Sequence, residues 1–523
     1  MKKYILSVIL VTTLVHTVYP QLRQLERYEL EKKNNDDYFN VLPAGRDGLV
    51  IFRDTDEYRK GEGDIWEITT LDTAMAERYK KELAIDNRYI FKGFDLYDSK
   101  LYLIFTQSES AVSDFHLVTI HLLSEEVRSY DIKNELALEL SHLTVVKDHL
   151  VLAGYVRYSP TVVTYQIGEN RAAVVPGFFK DRSDIVDLRT NDNSTFNILT
   201  LEKTYQGYIL RLRTYAPEGT MLFEKSLELK ENYRLLSGKT TDFVNGNIAV
   251  TGTYGSSSSN YAQGIYFAIV KPEGQQDIVR FYNFTELEHF FDYMGSRRAA
   301  RIKRRIDRKL ARGKEFRYRS RLLMHEVRKK DDGYILAAEI YNPQSDGINS
   351  RSYNPYYGYG FNTGYQDFSN AANQRYVKRS SPLANVDDAT HFKYLESVIV
   401  KLDNKGELIW DNSIKVEDVE TYSLEQIVDF YESANNVNLL YKSEEALNYK
   451  VVDQSETLTS GKEGIHLLYE NDKIVHTYDG VGKTHYWYGD YFLVWGYHRV
   501  ENKANPDVEN RRSVLFINKV AFE

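Results

Sequence analysis

The sequence predicts an all-β fold: a single β-propeller of eight, alternatively seven, four-stranded blades, with a helical basic insertion and a Tyr/Gly-rich loop insertion. Three observations predict it. A strand–turn–strand unit recurs eight times along 523 residues. The 42 tyrosines and 24 phenylalanines suit a pleated, half-buried surface. The last unit is one strand short, while an alternating stretch near the start has no unit to join.

The units follow in order. Asn40-Val41-Leu42 turns at Arg46-Asp47-Gly48 into Leu49 to Phe52. Phe94-Asp95-Leu96 turns at Asp98-Ser99-Lys100 into Leu101 to Phe105. Leu143 to Val146 meets Leu150 to Gly154 across Lys147-Asp148-His149. Ile185 to Leu188 meets Phe196 to Leu199 across Asn191-Asp192-Asn193. Thr241 to Val244 and Asn247 to Val250 flank Asn245-Gly246, the strongest short hairpin signal in the chain. Met324 to Val327 precedes Tyr334 to Leu336 across Asp331-Asp332-Gly333. Ile427 to Phe430 precedes Val437 to Leu440, and Tyr486-Trp487-Tyr488 precedes Tyr491 to Trp495 across Gly489-Asp490. Most units are followed by a third strand, such as Ile65 to Ile68, Phe115 to Ile120 or Ile265 to Val270, and several by a fourth, more polar one.

Starts near 40, 94, 142, 185, 239, 323, 427 and 485 match the ~40–50-residue period of four-stranded blades. The two long spacings hold insertions, at 284–321 and 341–392, rather than new domains. A lone four-stranded sheet exposes edges and an apolar face; a ring of such sheets buries face against face. The eighth unit ends at Glu523 after three strands. Gln24 to Glu31, alternating Leu25, Arg27, Glu29 with Glu26, Tyr28, Leu30, is expected to supply its outer strand and close the ring.

The stretch Val400-Lys401-Leu402-Asp403-Asn404-Lys405-Gly406-Glu407-Leu408-Ile409-Trp410 resembles a blade hairpin of quinoprotein-type and related bacterial propellers. In those repeats an Asp-x-x-Gly turn joins the strands and a Trp packs between blades. The pattern-level resemblance covers nearly the whole mature chain and implies a propeller of an uncharacterised exported family from Gram-negative envelopes. It carries over no active site. The Gly-His and Trp-Asp pairs of WD40 repeats, the paired glycines of kelch repeats and the Ser-x-Asp-x-Gly-x-Thr-Trp boxes of sialidases are missing.

Met1-Lys2-Lys3 followed by an apolar run from Tyr4 to Val15 has the build of a secretory signal. Residues 1–20 are therefore expected to be a signal peptide and 21–523 the propeller domain, exported to the periplasm or outer membrane of a Gram-negative bacterium, or extracellular. No later run reaches 18 apolar residues, so no transmembrane span is expected in the mature chain. Cysteine is absent, which excludes disulfides, thiol catalysis, thiolate zinc sites and a lipoprotein anchor.

Charge points to the first functional candidate. Between Arg297 and Arg321 thirteen Lys/Arg face only Asp307 and Glu315, a local +11 that leaves −19 on the rest of a chain of net −8. Thr285-Glu286-Leu287-Glu288 reads as a helix start, with Phe290 and Phe291 as buried candidates. Ser296 reads as the cap of a second helix, with Ile302, Ile306 and Leu310 as its apolar stripe, Ala299 on the same side and Gly313 as its stop. Arg297, Arg298, Arg301, Lys303, Arg304, Arg305, Arg308 and Lys309 are its candidate binding residues. The competing reading docks this helix on the acidic ring, which neutralises part of its charge. The second candidate is Tyr353, Tyr356, Tyr357, Tyr359 and Tyr365 in the Tyr/Gly/Asn-rich insertion, a composition that resembles binding loops and suits sugar rings.

Chemistry is thinly marked. The twelve histidines are scattered, with His116 and His121 on opposite faces of one strand, and Asp54, Asp56 and Glu57 read as a solvated acidic tip. No nucleophile elbow, phosphate loop or zinc motif occurs. No cofactor and no metal is implied. The expected function is non-enzymatic: a monomeric ring that binds or scaffolds an envelope protein, glycan or anionic lipid, with no specific nucleic acid. The alternative is a polysaccharide-active or other hydrolytic enzyme with its site in the propeller channel, where paired carboxylates from different blades could converge.

Overall fold

The computed structural model describes residues 20–33, 39–107, 113–157, 159–169, 171–178, 183–204, 207–227, 233–243, 246–256, 259, 261–271, 276–344, 391–421, 424–434 and 436–523. The second and third strands of each unit read as runs of apolar residues rather than as strict alternation, because both faces of each sheet are covered. In Leu101 to Phe105, Leu150 to Ala153 and Phe492 to Tyr497 every residue is buried. Such strands need partners on both sides, and a ring supplies them.

Eight antiparallel sheets form the ring, a β-propeller of eight blades. The innermost strands are Asn40–Pro43 in blade I, Ile90–Tyr97 in II, Glu139–Val146 in III and Ser183–Thr190 in IV. In V the position is shared by Tyr233–Leu235 and Lys239–Thr240; Leu322–Lys330, Asp429–Glu432 and Lys473–Tyr488 serve blades VI, VII and VIII. Eight apolar clusters hold the ring together, each built from two neighbouring blades. Val50, Phe52 and Ile68 of blade I pack with Leu103, Phe105 and Val118 of blade II. Trp410 of blade VI lies in the cluster shared with Phe430 and Leu439 of blade VII, between blades as its motif implied.

The Asp-x-x-Gly turn forms as the sequence suggests. Asp403 Oδ1 accepts the amides of Lys405 (2.7 Å) and Glu407 (2.8 Å), and Gly406 turns the chain at φ +75°. A Cβ on Gly406 would lie 2.4 Å from the Phe267 ring of blade V, so the position is closed to any side chain.

Closure is as expected. Leu22–Glu31 pairs antiparallel with Arg511–Phe522, from Leu22 opposite Phe522 to Glu31 opposite Val514, and completes blade VIII. A buried charge network fastens it. Glu29 binds Arg27 at 2.7 Å and Arg512 at 3.2 Å, and Arg512 reaches Asp472 at 2.5 Å. Arg27 also lies 4.5 Å from the Phe516 ring centroid.

Antiparallel order fixes where the insertions emerge. The link from an outermost strand to the next innermost strand leaves the same face of the ring as the turn between a blade's second and third strands. The 284–321 segment is such a link, from Gln276–Asn283 of blade V to blade VI. The 341–392 segment is the turn between the second and third strands of blade VI, Gly333–Gln344 and His391–Asp403, which are paired as far as Gln344 opposite His391. Both insertions are therefore rooted on one face of the ring, in loops of neighbouring blades. Ala262, in the corresponding turn of blade V, bridges Ser320 at the end of the first insertion.

Candidate functional site

The first insertion opens differently from its sequence pattern. Thr285 to Glu288 starts no α-helix; Phe284–Glu286 is a single 3-10 turn, closed by a capping box between Asn283 and Glu286. Phe290 and Phe291 are buried, as expected, and Phe290 stacks on Phe284 with centroids 4.1 Å apart. The foot is bolted to blade VI. Asp411 accepts the amides of Glu288 (2.9 Å) and His289 (2.8 Å), and Ser413 donates to the His289 carbonyl at 3.1 Å.

The α-helix runs Ser296–Leu310. Gly295, not Ser296, is its N-cap, and no side chain caps it; Ser296 is the first helical residue. Gly313, at φ +65°, ends it as expected, with the Lys314 amide returning to the Lys309 carbonyl at 2.9 Å. Ile302 and Ile306 are buried among Phe290, Phe291 and Met294, with Ala299 against them. Leu310 departs from the expected stripe: it is 59% exposed, while Ile302 and Ile306 are buried.

Arg297, Arg298, Arg301, Lys303, Arg304, Arg305, Arg308 and Lys309 are all exposed. At 100° per residue, seven of them fall within an arc of roughly 140° that begins about 20° from Ile302 and runs round to the side opposite it, with Lys303 apart on the other flank. Among the described residues none of the eight forms an ion pair with the ring. Arg304 and Arg308 bond helix carbonyls, those of Ala300 (3.2 Å) and Arg304 (3.1 Å), and Lys309 sits over Phe316 at 5.4 Å. The competing reading is met as far as docking goes: the helix presents its apolar residues to the ring and its cations to solvent, and among the described residues no acidic side chain pairs with them. The tyrosines 353, 356, 357, 359 and 365 lie outside the described residues.

The inner part of the ring, on first and second strands, holds groups that no sequence motif marked. Asp95 of blade II accepts the Val145 amide (2.7 Å) and Thr144 hydroxyl (3.1 Å) of blade III. Asp187 of blade IV accepts the Thr240 amide (2.9 Å) and hydroxyl (2.8 Å) of blade V, with Lys239 at 3.3 Å. Glu339 of blade VI accepts the amides of Ile427 (3.0 Å) and Val428 (2.7 Å) at the entry to blade VII, and His325 lies 3.0 Å from it. Asp429 of blade VII accepts the Tyr486 amide of blade VIII (2.7 Å) and Arg328 of blade VI (2.9 Å). One device recurs: a buried carboxylate accepts a backbone N–H belonging to the next blade. Its oxygens are occupied by amides, which suits them to hold blades together rather than to move protons. Burial pushes Asp95 up to about 6. Burial acts the same way on Asp429, but Arg328, His485 and two amides outweigh it and hold that carboxyl below its ordinary value.

One acid is different. Glu396, on the third strand of blade VI beneath the insertion foot, is fully buried. Its Oε1 lies 2.6 Å from the Ser413 hydroxyl, whose one proton is shared with the His289 carbonyl, and the Tyr293 amide also faces the carboxyl. Burial pushes its carboxyl up to about 8. Lys450 of blade VII stands near and is itself lowered by burial, and the His289–Asp292 pair (2.7 Å) completes the group.

The remaining sequence candidates separate. His116 pairs with Asp131 at 2.7 Å, while His121 accepts turn amides from Leu123 and Ser124. Asp54 lies within the strand Leu49–Arg59 at a register shift, not at a tip, and burial pushes it up to about 6. Among the described residues no group of three or more His, Asp or Glu is arranged to hold a metal ion. No helix there is long and apolar enough to cross a membrane.

No family model and no curated protein matches the chain. Solved structures similar to it include the polysaccharide lyase Uly1, at 8% identity and TM-score 0.39 over 96% of this chain and 100% of that one. The dihydro-heme d1 dehydrogenase NirN follows at 11% and 0.40 over 92% and 74%. The acylaminoacyl peptidase of Pyrococcus horikoshii follows at 8% and 0.35 over 80% and 53%. At these identities and TM-scores the likenesses carry no argument about chemistry.

Proposed function

We propose that the chain is an exported, non-enzymatic propeller that holds itself against an anionic lipid surface of the cell envelope through the helix Ser296–Leu310. The observation that carries this reading is the helix Ser296–Leu310, whose eight cations are all exposed and, among the described residues, form no ion pair with the ring. Its apolar residues Ile302 and Ile306 are engaged by the ring, so the helix has no stripe left to insert into a bilayer. The contact is therefore electrostatic and headgroup-deep, worth about 1 kcal/mol per cation near an anionic membrane. The start Met1-Lys2-Lys3 with its apolar run supports export to a compartment where such a surface is met. A hydrolytic reading needs a carboxyl free to exchange a proton with substrate, and the four inner acids are engaged by neighbouring amides.

The test is co-sedimentation of the chain from Gln21 onward with vesicles of phosphatidylethanolamine and phosphatidylglycerol. Binding is expected at low salt and should fall steeply as the Debye length shrinks to ~10 Å near 0.1 M. Arg301→Glu, Arg305→Glu and Arg308→Glu together should weaken it by about a hundredfold or more. Binding that survives these reversals, or that is equal on uncharged phosphatidylcholine vesicles, would remove the helix from the reading. Capture of an acidic protein in place of vesicles would leave the helix as the site but overturn the lipid.

A further inference from the structure

A short polar path leaves the foot of the basic insertion, enters blade VI and returns to the foot. The Tyr293 amide faces the Glu396 carboxyl. Glu396 Oε1 lies 2.6 Å from Ser413 Oγ, and Ser413 Oγ lies 3.1 Å from the His289 carbonyl oxygen. Glu396 and Ser413 stand on the neighbouring strands His391–Asp403 and Leu408–Lys415, and both are buried.

The path is one proton short when Glu396 is ionised. A serine hydroxyl carries one proton, and neither a carboxylate nor a carbonyl carries any. The charged acceptor takes that proton. The His289 carbonyl then keeps only the Asp292 amide of its own turn, at 3.2 Å, and loses its bond to the ring. A neutral Glu396 supplies the missing proton, and each contact of the path then has one donor and one acceptor. Burial favours that neutral form and holds the proton to about 8.

The surrounding charges are divided. Asp292 of the foot, paired with His289 at 2.7 Å, opposes ionisation of Glu396. Lys450 of blade VII, which donates to Asn412 Oδ1 (2.8 Å) and the Ser413 carbonyl (2.7 Å), favours it. Asp411 is engaged by the Glu288 and His289 amides, and Lys415, opposite Glu396 in register, pairs with Glu417.

We propose that the proton on Glu396 clasps the basic insertion to the ring: with it, Glu396 donates to Ser413 and Ser413 to the His289 carbonyl; without it, Ser413 turns to the carboxylate and lets the foot go. The foot carries the helix Ser296–Leu310, so the clasp sets how firmly that helix is held. It stands whether or not the helix meets lipid, because it is read in the foot itself.

Hydrogen exchange of the chain from Gln21 onward, expressed as protection over intrinsic rates, tests it. Lifting the foot opens Glu396 to water, where its carboxyl titrates near the ordinary 4.5. Docking therefore weakens as pH rises between that value and about 8, and levels off above it. Protection at residues 287–294 should fall by about tenfold or more from about pH 6 to about pH 9, and should stay below that of Leu101 to Phe105 at both, the mark of a local opening. Glu396→Gln, whose amide donates to Ser413 as the protonated acid does, should hold its protection within about threefold. His289 and Lys450 titrate alike in parent and variant, so the difference belongs to Glu396. Ser413→Ala should bring protection at the lower pH down towards the parent's value at the higher, and carries the test should Glu396→Gln fail to fold. Parent protection that is equal at the two pH values, an equal decline in Glu396→Gln, or a foot as protected as the ring overturns the proposal.

Discussion

Glu396 shows how one residue sets a property of the whole chain. Unfolded, its carboxyl titrates near the ordinary 4.5; folded, it holds its proton to about 8. Between those values the native state binds a proton that the unfolded state has released, so stability falls as pH rises through that window and levels off above it. The cost at alkaline pH is on the order of a few kcal/mol. Glu396→Gln should remove the decline: melting temperatures from about pH 5 to about pH 9 should drop for the parent and stay flatter for the variant. A parent curve that is flat across this range would refute the assignment. Asp429 acts in the opposite sense, since a carboxyl held below its ordinary value stabilises at neutral pH and loses that contribution in acid. Gly406 is the second instructive residue. Gly406→Ala places a Cβ against Phe267 at a positive φ, and should destabilise by about 2 kcal/mol or more by denaturant titration.

The basic helix is where element-scale forces compete. Its charges repel one another, and among the described residues no ring carboxylate pairs with them, so its place depends on Ile302, Ile306 and the bolts at Asp411. Ile306→Ala should cost about 2–3 kcal/mol of docking free energy. The loss should appear as faster hydrogen exchange confined to residues 284–321, with the ring's amides unchanged. Raised exchange throughout the ring would mean that the insertion is part of the ring's cooperative unit. The helix was legible from its four-residue spacing and its Gly313 stop. Leu310 was misread, because periodicity reports which residues share a side and not how far the supporting surface reaches.

The ring as a whole is fastened at one seam. Seven of the blades take their four main strands from consecutive sequence; blade VIII alone combines both ends of the described chain, through Leu22–Glu31. Arg27, Glu29, Asp472 and Arg512 are buried there, and removing one member leaves its partners charged and unpaired. Arg512→Ala should therefore destabilise by about 3–5 kcal/mol, and a chain starting after Glu31 should melt at markedly lower temperature than one starting at Gln21. Equal melting temperatures for the two chains would show that the seam contributes nothing.

The sequence by itself determined the ring, because strand periodicity, turn residues and unit length are local properties repeated eight times, and repetition averages out local ambiguity. It also determined the spare outer strand, the two insertions and the density of charge between Arg297 and Arg321. One repeated feature hid: the turn at Asp72 has the same geometry as that at Asp403, but Met75 takes the left-handed position (φ 62°) that Gly406 takes there. What only the tertiary structure decided were matters of convergence. Asp95 meets Val145, Asp187 meets Thr240 and Asp429 meets Tyr486 because successive inner strands stand next to one another around an axis. Arg46 of blade I meets the Tyr488 ring of blade VIII, 5.6 Å from its centroid, because the ring closes. No spacing along the chain encodes such neighbours, since closure joins residues more than four hundred positions apart, as with Trp487 and Gly48.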